Sequence, residues 1–304
     1  MYIEQGYRGQ LGLWKYLVIP TGFIGLIILN YISVLNSSQS TEEIMQIMVD
    51  KMGSNIVLIT MLLPLAIALF ILWVWVKLIH QQSITSLTTS RKKVDWKRIF
   101  FSFLLWGGIT SIFIYTDYYL NPQDYMWNFD LVPFLSLVII AVLLVPLQTS
   151  FEEYLFRGYL MQGIGIYVKN RWVPLVVTSV IFGLMHIANP EVGKLGYGIM
   201  IYYIGTGFFL GIITLMDEGM ELALGFHAAN NLVTVLLVTA TWTAFQTESL
   251  LKDVSTPELG YDVLFPVFVV FPILIVIFAY KYKWNSWKDK LTGRIEKPEL
   301  FTEA

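Results

Sequence analysis

Residues 135–160 read LSLVIIAVLLVPLQTSFEEYLFRGYL. An apolar run passes directly into two adjacent glutamates and, four residues after the second, an arginine. With residues 131–134 added, the run exceeds the roughly 20 residues that a helix needs to cross a bilayer. Glu152, Glu153 and Arg157 therefore share a helix with a membrane-spanning segment. Ionisable side chains in such helices are costly, and those that occur face a bundle interior or a water-filled cavity. The stretch implies both a membrane fold and a polar site inside it.

The rest of the chain agrees. Of 304 residues, 56% are hydrophobic and only 14% charged, with 15% aromatic, and mean hydropathy is +0.63. Soluble domains carry about 25% charged residues. This is the composition of an all-α polytopic membrane protein with about eight transmembrane helices, filling residues 1–304 as one integral membrane domain. A net charge of −2 gives no basic signal for a nucleic-acid partner. With no cysteine, disulfides, thiolate metal sites and a cysteine nucleophile are excluded. The first twenty residues, MYIEQGYRGQLGLWKYLVIP, lack a signal-peptide layout, so the first apolar segment is expected to be retained.

Eight candidate spans lie near 14–36, 55–80, 99–119, 131–163, 172–189, 195–216, 219–244 and 262–282. The fourth is longer than a bilayer requires and is expected to tilt or to continue as helix beyond the lipid. In GYGIMIYYIGTGFFLG, residues 196–211, the glycines let neighbouring helices approach closely. Arg91, Lys92, Lys93, Lys97 and Arg98 fall in one loop, and Lys281, Lys283, Lys288, Lys290, Arg294 and Lys297 in the C-terminal tail. The opposite loops hold only Lys51, Lys194 and Lys252. The positive-inside rule then places both termini in the cytoplasm. Trp14, Trp127, Trp172 and Trp284 suit interfacial anchoring.

Ionisable or strongly polar residues within the spans gather in three places: Glu152, Glu153 and Arg157; His186 in VIFGLMHIANP; and His227 in LGFHAANNLV, with Asn230 and Asn231 beside it. His80, at the end of the second span, reads as an interfacial structural residue. At 1.5 Å per residue, Glu152, His186 and His227 lie roughly 16, 18 and 12 Å from the same membrane face, compatible with one cavity. Glu153 and Arg157 stand in the favoured i, i+4 ion-pair order. Glu152, about 100° around the helix, is left outside that pair. His227 and Asn231 share a helix face, and Phe182 lies one turn from His186.

A carboxylate withdrawn from solvent can act as a base on water. A histidine can orient that water, and an asparagine amide with a second histidine can donate to an oxyanion. Such a set hydrolyses an amide without a nucleophilic side chain. His-Glu-x-x-His, Gly-x-Ser-Gly and Gly-x-Gly-Asp motifs are absent. There are bland counterparts: a Glu–Arg pair is also common structural glue, and a lone membrane histidine is more often a packing residue. Three such clusters together are harder to explain as packing. Zinc held by Glu152, His186 and His227 is the other sharp reading, although no pair has a typical zinc-ligand spacing.

EEYLFR at 152–157, FGLMH at 182–186 and HAANN at 227–231 together resemble the CPBP family of intramembrane proteases, also called the Abi or CAAX protease family. Its pattern is Glu-Glu-x-x-x-Arg, Phe-x-x-x-His and His-x-x-x-Asn/Asp, in that order. Each motif alone is weak; the ordered set in separate spans is specific. The resemblance covers about 120–231 and implies a family-like catalytic core near 120–245. It implies a metal-independent glutamate endopeptidase without a cofactor: Glu152 as water-activating base, His186 as its partner, His227 and Asn231 as the oxyanion pair, and Glu153, Arg157 and Phe182 in support. The implied partner is a membrane-associated protein or peptide substrate. Eukaryotic relatives cleave prenylated CAAX proteins, whereas bacterial relatives are associated with bacteriocin processing and self-immunity. A bacterial inner-membrane location is the default. A non-catalytic immunity or scaffolding protein and a proton-coupled transporter are the competing readings; the latter lacks the inverted repeats such folds usually show.

Overall fold

The structure, a computed structural model, describes residues 1–299. A short 3₁₀ turn, Ile3–Arg8, precedes α1 (Leu13–Leu35). The acidic loop that follows is itself helical: α2 (Thr41–Met52) starts at a capping box in which Ser40 accepts from the Glu43 amide and Glu43 from the Ser40 amide. Next come α3 (Ser54–Leu78), the short α4 (Ile84–Thr88) and α5 (Trp96–Leu120). The stretch quoted above forms one helical run, Leu131–Val168. It consists of α6 (Leu131–Glu153), a π-helical segment Tyr154–Leu160 and α7 (Met161–Val168). The expected continuation of this helix beyond a single span is present.

The remaining helices are α8 (Trp172–Leu184), α9 (Pro190–Leu195), α10 (Met200–Asp217), α11 (Glu221–Leu237), α12 (Tyr261–Phe265), α13 (Phe271–Tyr282) and α14 (Trp287–Thr292). Among the described residues, six helical runs are long and apolar enough to cross a membrane, and α8 and α11 are shorter apolar helices. The chain is an all-α polytopic membrane protein.

Two expected spans end early. The fifth stops at Leu184, and residues 185–188 are turns. Asn189 precedes Pro190 and is extended (φ −67°, ψ 148°), because the proline ring disfavours helix in the residue before it. The 13 residues of α8 rise only about 20 Å. The seventh stops at Leu237, where the β-branched sequence VTATWT leaves the helix and forms a strand.

The chain has two faces outside the bundle. On the face away from the termini, β1 (Tyr125–Trp127), β2 (Val238–Ala240) and β3 (Leu251–Asp253) form a small sheet of order β1-β3-β2. β3 runs antiparallel to β1 and parallel to β2. On the terminal face, Tyr2 is wholly buried and its hydroxyl donates to the carbonyls of Leu87 (2.7 Å) and Arg157 (3.1 Å). Arg91 and Arg98 do not float in a solvated basic loop. Arg91 pairs with Asp217 at 2.9 Å and Glu221 at 3.1 Å, and Arg98 pairs with Asp95 and Asp217. His80 lies beyond the end of α3 and is completely buried in a structural role: Nδ1 meets the Gln10 carbonyl at 3.1 Å and Nε2 the Tyr159 hydroxyl at 2.9 Å.

α10 is the central helix, with 61% of its span window buried against 6% for the peripheral α1. Close packing there depends on glycine. A Cβ on Gly207 would lie 2.5 Å from the Ser179 carbonyl oxygen of α8, and one on Gly225 would collide with the Ile99 carbonyl of α5. An aromatic cluster fills the space between α5, α10, α11 and α13. Phe209 stacks on Phe271 (centroids 4.6 Å apart) and Trp106 on Phe226 (4.5 Å). The polar residues lie beside this cluster.

Candidate active site

Glu152 and Glu153 are the last two residues of α6, and Arg157 lies in the π-helical segment that follows. Such segments are rare and frequently accompany functional sites. The i, i+4 ion pair expected from spacing is formed. Arg157 Nη1 donates to Glu153 Oε1 at 2.9 Å, with both side chains wholly buried. Arg157 Nη2 donates to the Gly207 carbonyl at 3.3 Å, and its guanidinium lies 4.1 Å from the centre of the Phe182 ring. Gly207 therefore serves packing and also supplies an acceptor for the arginine.

α11 brings His227 to the same place. Its Nδ1 lies 2.8 Å from Glu153 Oε1, so that oxygen accepts from both the arginine and the imidazole. A carboxylate only accepts, which puts the ring proton on Nδ1. Nε2 then faces Glu152 Oε2 at 3.7 Å, beyond hydrogen-bond range. Glu152 Oε1 accepts from Gln148 Nε2 at 2.5 Å, while Oε2 is buried and hydrogen-bonds to nothing among the described residues. Each carboxylate keeps a buried Oε2 without a hydrogen-bond partner among the described residues, and they differ at Oε1: that of Glu153 is shared by the arginine and the imidazole, whereas that of Glu152 meets only the neutral Gln148 amide.

Asn231, one turn from His227, donates through Nδ2 to Gln148 Oε1 at 3.2 Å. Its Oδ1 accepts from Asn230 at 3.1 Å. His186 sits in the turn after α8. Its Nδ1 donates to the Phe182 carbonyl at 2.9 Å, and its ring stacks on Tyr203 with centroids 4.3 Å apart. No hydrogen bond joins it to either glutamate. Phe182 connects the groups instead, its ring 5.2 Å from the His186 imidazole and 5.8 Å from that of His227. The imidazole directly beside Glu152 is that of His227.

All seven residues singled out from the sequence converge on this region. Gln148 and Tyr203 join them and were not anticipated. Gln148 had a readable signal: it is a polar side chain in an apolar run, one helical turn before Glu152. Tyr203 had none. Among the described residues, no three His, Asp or Glu side chains stand together as a metal-ligand group.

A bundle of apolar helices thus encloses two glutamates, an arginine, two histidines and an asparagine, drawn from all three sequence motifs. Residues 131–233 match the family model described as type II CAAX prenyl endopeptidase Rce1-like. YyaK of Bacillus subtilis (strain 168) is 30% identical over 239 residues, covering 76% of this chain and 80% of its own. A Mycoplasma capricolum protein is 30% identical over 108 residues, 35% of this chain and 30% of its own. No solved structure matches. The chain belongs to the CPBP family, with the Rce1-like endopeptidases.

Proposed function

We propose that the chain is an intramembrane endopeptidase that hydrolyses a peptide bond in a membrane-associated protein, lipidated CAAX-like proteins included, with a water activated by Glu152. The observation that carries this reading is the division between the two carboxylates. Arg157 and His227 share Glu153 Oε1, while Glu152 is held only by the neutral Gln148 amide and turns Oε2 toward His227 Nε2. Environments that differ this much commonly separate a structural from a chemical carboxylate.

In the proposed reaction, Glu152 Oε2 takes a proton from water as the water oxygen bonds to the substrate carbonyl carbon. His227 Nε2 accepts that water's other hydrogen and orients it. Asn231 has one Nδ2 hydrogen not given to Gln148, and donates it to the oxyanion. Glu152 then returns its proton to the nitrogen as the C–N bond breaks. His186, with Nδ1 committed to its own backbone, offers Nε2 to substrate or water. The reading uses no metal, so activity is expected to survive chelation. The lysines and arginines gathered on the terminal face support an orientation with both termini in the cytoplasm, and the bacterial relatives support a location in the cell membrane.

The test compares protein termini by mass spectrometry in membranes expressing wild type or Glu152→Gln at equal levels. Termini found only with wild type are expected, and they name the substrate. Identical termini together with a phenotype that both forms rescue would replace this reading with a binding role.

A further inference from the structure

We infer that Trp106, Asn230 and Gln148 form an oriented amide relay that positions Glu152 and Asn231 for catalysis. The inference rests on the reading of Glu152 as the base. The chain of bonds is continuous. Trp106 Nε1 donates to Asn230 Oδ1 (3.1 Å), Asn230 Nδ2 to Asn231 Oδ1 (3.1 Å), Asn231 Nδ2 to Gln148 Oε1 (3.2 Å), and Gln148 Nε2 to Glu152 Oε1 (2.5 Å). The Tyr202 hydroxyl also approaches Asn230 Oδ1, at 3.5 Å.

The direction of this chain is fixed at both ends. An indole N–H can only donate, so Asn230 must turn its oxygen toward Trp106. That choice points the Asn230 amide nitrogen at Asn231, and the same logic passes on to Gln148. At the far end a carboxylate can only accept, which demands the same polarity. An amide side chain alone could flip end for end, since its oxygen and nitrogen are nearly the same size. Here a flip at any link would set two donors or two acceptors against each other.

This orientation has two chemical consequences. Gln148 holds Glu152 by Oε1, which leaves Oε2 as the oxygen that faces His227. Asn231 is held with its amide nitrogen toward Gln148, which leaves its remaining N–H for substrate. The donor that sets both is Trp106, on α5, whose indole N–H bonds to Asn230 and to neither of these residues. Its ring is independently fixed by stacking on Phe226 at 4.5 Å. Gln148 is almost wholly buried, so solvent cannot replace it.

The probe is a synthetic peptide spanning the cleavage site defined by the termini that Glu152→Gln abolishes. Trp106→Phe keeps the ring and deletes the N–H; Gln148→Met keeps the volume and deletes both amide bonds. Loss of a hydrogen bond to a charged group predicts that Gln148→Met lowers kcat roughly 10- to 100-fold. Loss of a neutral bond predicts about 3- to 10-fold for Trp106→Phe. KM of Trp106→Phe is expected to stay at the wild-type value. If Gln148→Met does not fold, Trp106→Phe carries the test. Wild-type kcat in Trp106→Phe, or a change confined to KM, overturns the relay while leaving Glu152 as the base. Termini that persist in Glu152→Gln overturn the base assignment, and the relay with it.

Discussion

Replacing Glu153 by glutamine removes one charge from an ion pair that has no exposure at all. Glutamine retains an oxygen that can accept from Arg157 Nη1 and His227 Nδ1, so the hydrogen bonds persist and only the charge is lost. Arg157 would then be a buried cation with the Gly207 carbonyl and the Phe182 ring as its other close neighbours. Removing one member of a buried pair costs about 3–5 kcal/mol. The retained bonds and the aromatic face, itself worth roughly 0.5–2 kcal/mol, place this case near the lower end, at about 3 kcal/mol. Removing the arginine as well, in Glu153→Gln/Arg157→Met, is expected to recover most of that loss, because an apolar replacement of similar volume no longer strands a charge. The assay is reversible unfolding of the three proteins in mixed micelles, followed by helical circular dichroism. The reasoning is refuted if Glu153→Gln lies within about 0.5 kcal/mol of wild type, or if the double variant is no more stable than the single one.

Gly225→Ala drives a methyl group into the α5 backbone at Ile99; a loss of about 1–3 kcal/mol is expected in the same unfolding assay. Ser40→Ala deletes half of the capping box of α2 and is expected to cost about 1 kcal/mol, read as faster amide exchange in residues 41–44. Burial holds the His80 imidazole below the ordinary histidine range, against the hydrogen bond it donates to the Gln10 carbonyl, which pulls it up. Below about pH 6.5 the unfolded chain therefore binds the proton first. The contribution of His80 is present above that pH and declines as pH falls toward its folded value. Protease nicking between residues 8 and 13 is expected to rise over that window in wild type and to lose this pH dependence in His80→Gln.

The sequence made the bundle legible because apolar runs report directly on contact with lipid. Lipid contact does not report where a helix ends. Pro190 bars helix at Asn189, but the stop already at Leu184 has no such local signal, and the stop at Leu237 goes with a strand that needs partners more than ten residues downstream. The ion pair of Glu153 and Arg157 was readable because both partners lie on one helix, one turn apart. The bond from Glu153 to His227 was not, because it joins α6 to α11 and requires their relative rotation. Gln148 was visible as a polar residue one turn from Glu152, but its link to Asn231 and on to Trp106 crosses three helices. His80 read as interfacial because it borders a polar loop. What buries it is the N-terminal segment, whose residues carry no pattern announcing that they fold back.

α8 rises about 20 Å where the hydrocarbon layer is near 30 Å. Its end at Leu184 leaves the turn bearing His186 at a depth where acyl chains would otherwise lie. A bilayer beside α8 is therefore expected to thin next to the glutamates. Acyl-chain length then becomes a reaction variable: thin membranes relieve the mismatch around α8, and thick ones press the wall of the site against its own polar residues.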